Sequence, residues 1–195
     1  LFRVSQLQTA SISYNALAKN INSKPDTAKK YLDALGDAFI LATIYSYDSA
    51  RSRVALKKDK KLIWVDPALS RLPRFLGQGE NATTPTLAEH AVGIHLLRNY
   101  ELRLFEGLSA PRNIFTWKST GGNELDYLVV DRSKKLIYPI EVKFQNTLSD
   151  WDYQVMERAF KKGILVTKNS EKTRPLAKAV SLDKFLHLTD PINSV

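Results

Sequence analysis

Two apolar stretches, residues 121–131 (GGNELDYLVVD) and residues 135–144 (KLIYPIEVKF), decide the fold. Both are rich in β-branched and aromatic residues, and a polar turn separates them, so the pattern predicts two neighbouring β-strands. Side chains alternate along a strand, which puts Glu141 and Lys143 on one face of the second strand. Asp126 lies on the first strand. The sequence therefore predicts that two carboxylates and an amine are presented together.

These residue types suit a metal-dependent site. Mg²⁺ or Mn²⁺ prefers carboxylate oxygens, and Asp126 with Glu141 offers two ligands from adjacent strands. Lys143 does not ligate a cation, but it can orient a water molecule or offset charge that develops on a phosphate. The alternative is that the Glu-x-Lys pair is the solvated face of a half-covered sheet and that Asp126 is a surface acid near a turn. Glu124 is the spare carboxylate if Asp126 is misassigned.

A helix is predicted to begin where Pro85 follows Thr84. On this helix Glu89 shares a face with apolar positions three, four and seven residues later, so its side chain should point towards packed structure. Burial of a carboxylate requires a partner, and a metal ion is one candidate. The alternative is that Glu89 simply favours the positive end of the helix dipole.

The order of these elements resembles the PD-(D/E)xK nuclease superfamily, which has the restriction-endonuclease-like fold. That resemblance rests on NELDYLVV, on PIEVKF, and on the helices and the strand (ILVT, residues 164–167) around them. It implies an α/β fold with a mixed central sheet flanked by helices, and a Mg²⁺-dependent (or Mn²⁺-dependent) endonuclease site. The catalytic residues it implies are Asp126, Glu141, Lys143 and Glu89, and the metal ligands are Asp126, Glu141 and Glu89.

The first part of the chain has helical spacing instead. Apolar residues predict two short helices, with a break at residues 22–25. Ser23, followed by Asp26 three positions later, fits a capping box at the start of the second helix. The exposed first half of this second helix is expected to carry the DNA-contacting residues Lys24, Thr27, Lys29 and Lys30, as a recognition helix does.

A basic loop between two predicted strands follows the helix pair. Two strands around such a loop, after a helix-turn-helix, resemble a winged helix, and the loop would be its wing. Contacts to phosphates would make DNA binding sensitive to salt. The alternatives are a solvated basic hairpin or a helix pair that docks another protein. The loop residues expected to contact DNA are Arg51, Arg53, Lys57 and Lys58. The loop is also expected to hold Lys60 and Lys61 at its end.

The whole order, including LIWVDPALSRLP between the two parts, resembles the C-terminal region of archaeal and bacterial AAA-superfamily ATPases. In that family a P-loop ATPase module precedes a winged helix and a nuclease-like domain. This chain holds no Gly-x-x-x-x-Gly-Lys-Ser/Thr segment, so no ATP site is expected. It opens on Leu1, and its first ten residues are typical of a helix that continues from an earlier segment. We therefore expect a fragment whose partner is the missing ATPase module.

Composition agrees with a polyanion partner. The chain carries 29 Lys and Arg against 20 Asp and Glu, a net charge of +9, and the first 80 residues hold 13 of these basic and 7 of these acidic side chains. The absence of cysteine excludes disulfides and is consistent with a cytoplasmic location. No stretch is long and apolar enough to predict a membrane span.

These patterns predict two domains and leave two functions open. We expect a winged helix-turn-helix domain at residues 1–80 and a PD-(D/E)xK nuclease-like domain at residues 81–195, divided in the polar, glycine-bearing segment around residues 77–84. One hypothesis is a DNA-binding, Mg²⁺-dependent endonuclease module. The other is a noncatalytic DNA-binding or protein-binding regulatory module of the ATPase.

Overall fold

The computed structural model describes residues 11–77, 82–101, 113–132 and 134–194. The expected helix at residues 1–10 and the expected domain boundary between residues 80 and 81 lie outside these ranges. Across the described residues the chain is a mixed α/β structure with a mixed central sheet flanked by helices, as predicted from the sequence.

The first part combines two helices with a small sheet of three strands, ordered β1, β5, β2. Leu17, Leu32, Leu62 and Trp64 pack in its core. The second helix begins at Pro25 with Lys24 as its N-cap, and Lys24 makes no side-chain capping bond. The predicted capping box at Ser23 is therefore wrong, since proline at the first turn sets the start instead. The elements are β1 (Ser11–Ile12), α1 (Tyr14–Asn20), α2 (Pro25–Asp37), β2 (Leu41–Ile44) and β5 (Lys60–Trp64).

The segment predicted to be a wing forms a hairpin, β3 (Ser46–Asp48) with β4 (Arg53–Ala55), that joins the second sheet. Ser46 of β3 pairs in parallel with Thr116 of strand β6 (Ile114–Lys118). Tyr45 and Tyr47 are buried in the core of the second sheet, and this burial explains why the hairpin is held there. The hairpin is thus an edge of the larger sheet.

Lys60 and Lys61 are not part of an exposed loop, which corrects their assignment to its end. Both begin strand β5 and are buried. The ammonium of Lys60 lies 3.6 Å from the centre of the Tyr14 ring. The face of an aromatic ring attracts a cation, and this attraction is stronger where water is excluded.

The second sheet has eight strands, ordered β10, β11, β9, β8, β7, β6, β3, β4. Strands β7 and β8 are antiparallel, and β8 and β9 are parallel, so the predicted neighbours are confirmed. The remaining elements of this part are α3 (Leu72–Phe75), α4 (Thr84–Tyr100), β7 (Glu124–Asp131), β8 (Leu136–Lys143), α5 (Trp151–Phe160), β9 (Ile164–Thr167), β10 (Lys172–Thr173), β11 (Lys178–Ser181), α6 (Leu182–His187) and α7 (Pro191–Ser194).

Helices cover both faces of this sheet. Val92 and Leu96 of α4 pack on one face with Val129 and Ile140, whereas Met156 of α5 packs on the other face with Leu165. Helix α4 begins at Thr84, as predicted, with the Thr83 hydroxyl as its cap. Within the described ranges, no helix is both long and apolar enough to span a bilayer.

Candidate functional site

The register of β7 and β8 places Asp126 opposite Glu141. The paired register ends at Tyr127 with Ile140, and Asp126 and Glu141 are the next residues beyond that pair on their two strands. Here the backbone donates to side chains. The Val142 N–H donates to Asp126 Oδ2 at 2.9 Å, and the Asp126 N–H donates to Glu141 Oε2 at 3.3 Å. Two main-chain donors thereby fix the direction of both carboxylates.

Lys143 lies at the rim of this group. Its Nζ is 2.8 Å from Glu141 Oε1, and its side chain is 39% exposed whereas that of Glu141 is 13% exposed. The predicted shared face of Glu141 and Lys143 is thus observed as a direct ion pair. An amine in this position can reach a ligand in solvent while its carboxylate partner stays in the protein.

Glu89 reaches the same place from helix α4. Its side chain is mostly buried, and its carboxylate pairs with Lys61. The Tyr127 hydroxyl donates to the Glu89 backbone oxygen at 3.0 Å, which holds this turn of α4 against β7. The structure therefore brings together Glu89, Asp126, Glu141 and Lys143, the four residues expected from the sequence.

Lys61 is the site residue that the sequence did not reveal. Its Nζ donates to Glu89 Oε1 and lies 3.1 Å from Asp126 Oδ1, and its side chain is only 6% exposed. The Tyr127 ring centre lies 4.8 Å from the same ammonium. The ammonium of Lys61 is thus enclosed by two carboxylates and an aromatic face.

Burial and charge shift the titration of these groups. Burial lowers the pKa of the Lys61 amine, but the carboxylates of Asp126 and Glu89 outweigh it, so that pKa is raised. Burial raises the pKa of Glu89, and Lys61 only partly opposes this. Burial, with help from the Asp126 charge, raises the pKa of Glu141 to about 7 although Lys143 opposes it. Glu89, Asp126 and Glu141, with Lys61 and Lys143, therefore form an acidic cluster whose charges interact in a poorly solvated site.

The carboxylates do not fit the divalent metal that the resemblance implied. Both oxygens of Asp126 and both oxygens of Glu141 already accept hydrogen bonds or ion pairs from protein groups. In the part of the chain that the structure describes, no group of three or more His, Cys, Asp or Glu side chains is arranged to hold a metal ion. In this arrangement the ammonium groups of Lys61 and Lys143 supply the positive charge that a metal ion would otherwise bring to the carboxylates.

A polar cleft of about 270 Å³ opens beside Asp126. Lys58 and Lys118 line it together with Asp59 and Glu124. Ser46 also borders the cleft, and its hydroxyl is buried with no hydrogen-bond partner among the described residues. Unpaired buried hydroxyls are uncommon. The cleft therefore carries side chains of both charges beside Asp126.

The residues expected to contact DNA lie at the start of α2 and on the β3–β4 hairpin and the turn after it, and among them Lys58 also lines the cleft beside Asp126. All of them are exposed except Thr27, which is partly buried. Lys29 pairs with Asp33 at 2.5 Å, and Arg51 pairs with Asp48 at 3.8 Å. Lys24, Lys30, Arg53, Lys57 and Lys58 form no ion pair in the described residues.

Comparison with known proteins assigns each half of the chain to a family model. Residues 2–78 match a domain of unknown function, DUF8612, and residues 86–185 match a second domain of unknown function, DUF4143. No curated protein and no solved structure matches the chain. DUF4143 is found in the C-terminal region of AAA-type ATPases. Because this second match spans just over half of the sequence, the chain belongs to the DUF4143 family.

Proposed function

We propose that this chain is a DNA-binding regulatory module from the C-terminal part of an AAA-type ATPase. The observation that carries the proposal is the set of exposed basic side chains on α2 and around the β3–β4 hairpin, most of them without a carboxylate partner in the described residues. The net charge of +9 agrees with this partner. The first part is proposed to act as a winged helix, and the ATPase module is its partner in the cytoplasm.

Free surface cations are suited to phosphates. An exposed lysine without a carboxylate neighbour gives up only water and counterions when it meets a phosphate, and release of DNA-bound counterions favours the complex. We propose Lys24 and Lys30, near the start of α2, as such contacts. Helix α2 follows α1 after a short turn, the arrangement in which a second helix enters the major groove.

The experiment is a titration of labelled duplex DNA with the protein at several salt concentrations, followed by fluorescence anisotropy. We expect the logarithm of the association constant to fall linearly with the logarithm of salt, with a slope of about −0.9 for each phosphate contacted. A slope near zero, or no binding at low salt, would refute DNA binding and favour a role in docking another protein.

A second candidate is a Mg²⁺-dependent or Mn²⁺-dependent endonuclease of the PD-(D/E)xK type. It is supported by the convergence of Glu89, Asp126 and Glu141 with the half-exposed amine of Lys143. It ranks second because the carboxylates are already engaged by protein donors. Nicking of supercoiled plasmid, with and without divalent cation, tests this candidate.

A further inference from the structure

Lys61 connects the two parts of the chain, and its backbone is paired with strands on both sides. Strand β5 is the central strand of the small sheet, and Lys61 pairs with Ser11 of β1 on one side and with Ile44 of β2 on the other. Its side chain then crosses to Glu89 on α4 and Asp126 on β7. The amine cannot leave the carboxylates by a local backbone shift, since strands on both sides hold its Cα.

A divalent cation at this site would need oxygens of Asp126, which Lys61 contacts, and of its neighbour Glu141. Asp126 gives one oxygen to Lys61 and the other to the Val142 N–H. Glu141 is likewise divided between Lys143 and the Asp126 N–H. Lys143 differs from Lys61 because its side chain is 39% exposed, so solvent can take over its contacts at small cost. The buried amine of Lys61 has no such replacement.

We propose that Lys61 is the resident cation of the acidic cluster and keeps divalent metal out while the small sheet is docked on α4 and β7. An ammonium donated by one part of the chain neutralises carboxylates of the other part. Entry of a metal ion then requires that Lys61 be displaced. The occupancy of the cluster is thereby tied to the contact between the two parts. This inference does not depend on DNA binding, and its failure would leave that proposal intact.

The test is a titration with Mn²⁺ alone, followed by electron paramagnetic resonance of free Mn²⁺ and by the melting temperature. The wild type should show weak binding and no thermal shift. Lys61→Met should bind Mn²⁺ at least about tenfold more tightly, since freed carboxylate charge strengthens cation binding. Its melting temperature should be low without metal and should rise when Mn²⁺ is added.

Lys143→Met is the matched control, because it removes the other amine of the same cluster and leaves Lys61 in place. We expect it to gain much less Mn²⁺ affinity than Lys61→Met, since Lys61 still occupies Asp126 and Glu89 in this variant. Wild-type protein that binds Mn²⁺ as tightly as Lys61→Met would overturn the proposal, and so would a Lys61→Met variant that gains no affinity.

A second variant covers the case in which Lys61→Met does not fold. Lys61→Gln keeps a hydrogen-bond donor for one carboxylate and removes the charge, and it should also bind Mn²⁺ more tightly than the wild type. Nuclear magnetic resonance of the Lys61 ammonium in wild-type protein gives an independent measurement. When Mg²⁺ is added, we expect no Mg²⁺ binding at the cluster and an unchanged Lys61 signal. If Mg²⁺ binds at the cluster while the Lys61 signal stays unchanged, Lys61 does not exclude the metal.

Discussion

Lys61 Nζ lies 3.1 Å from Asp126 Oδ1, although 65 residues separate the two in sequence. This pair joins the small sheet of the first part to the central strands of the second. A second ion pair, between Lys61 and Glu89 on α4, completes the group. Removal of one member of a buried ion pair leaves an uncompensated charge, so the pair should matter far more to stability than an exposed one.

Substitution of Lys61 should therefore strongly destabilise the fold. We expect Lys61→Ala to lower the free energy of unfolding by about 3–5 kcal/mol, because Glu89 and Asp126 would stay buried without their shared cation. Urea unfolding followed by circular dichroism measures the change. Lys118→Ala is the control, since Lys118 pairs with Glu124 on the surface, and such pairs contribute little. Equal stability of the two variants would contradict the prediction.

Gly93 allows helix α4 to approach both parts of the chain closely. A Cβ atom added at this position would lie 2.5 Å from Tyr127 Oη and 2.6 Å from Ile63 Cδ1. Both neighbours are buried, and the Tyr127 hydroxyl is held by the Glu89 backbone. Gly93→Ala should thus cost about 1–3 kcal/mol of unfolding free energy through overpacking.

Gly121→Ala is the control for this substitution in the same urea experiment. A Cβ at Gly121 would have the Ser119 hydroxyl as its nearest neighbour at 3.8 Å, which is an ordinary contact. We expect a near-neutral effect there. If Gly93→Ala were as stable as Gly121→Ala, α4 would have more room than the structure shows.

The raised pKa of Glu141 predicts a specific dependence of stability on pH. In the folded protein this pKa is about 7, because burial and the Asp126 charge disfavour the ionised form, whereas an unfolded glutamate titrates near 4.3. The folded state binds the proton more tightly, so the Glu141 contribution is full below the unfolded pKa and is lost as pH rises through about 7. The loss should amount to about 4 kcal/mol at most.

Glu141→Gln isolates this contribution. His90 titrates in the opposite sense, because burial lowers its pKa and stability then increases as pH rises towards its unfolded value. The difference between wild type and Glu141→Gln cancels that term. We expect the difference in unfolding free energy to change in favour of the variant from about pH 4 to pH 7. A difference that is flat over this interval would contradict the assignment.

The sequence predicted the elements around the acidic cluster because their signals are local. Alternation in β7 and β8 and the proline at the start of α4 depend on neighbouring residues, and all three elements are present. The face shared by Glu141 and Lys143 followed from the same alternation, and their ion pair agrees with it.

Lys61 was missed because its role depends on packing between distant segments. It ends a run of lysines that is typical of a solvated loop. Which of these lysines is buried depends on how β5 packs against α4. One signal was present. Lys61 lies two residues before Ile63, so both share a strand face, and Ile63 packs with Val92 of α4. A lysine on an apolar strand face indicates a buried carboxylate partner.

The sequence did not predict, for a similar reason, that the β3–β4 hairpin expected as the wing would join the second sheet. Its turn residues are polar and charged, as in a solvated loop, but Tyr45 and Tyr47 beside them are buried in the second core. The pairing of Ser46 with Thr116 joins positions 70 residues apart, and nothing near either residue in the sequence indicates it.

Arg53 on β4 should contribute to DNA affinity through charge alone. It is exposed on an edge of the large sheet, and we expect Arg53→Gln to weaken binding and reduce the steepness of the salt dependence by about 0.9. Anisotropy titrations measure both quantities. Lys172→Gln removes the same charge from β10, the opposite edge of that sheet, and should change binding much less. Equal effects from both edges would indicate a response to net charge and no defined DNA face.

Plasmid nicking distinguishes the endonuclease candidate from the noncatalytic module. If the cluster cleaves DNA, Asp126→Ala and Lys143→Ala should each abolish nicking that depends on Mg²⁺ or Mn²⁺, because one removes a central carboxylate and the other the exposed amine. Both variants should keep nearly the wild-type DNA affinity, since neither residue is among the DNA contacts proposed on α2 and around the β3–β4 hairpin. Nicking that persists equally in the wild type and in both variants would come from another source. Absence of nicking in the wild type, together with salt-dependent binding, would support the regulatory module.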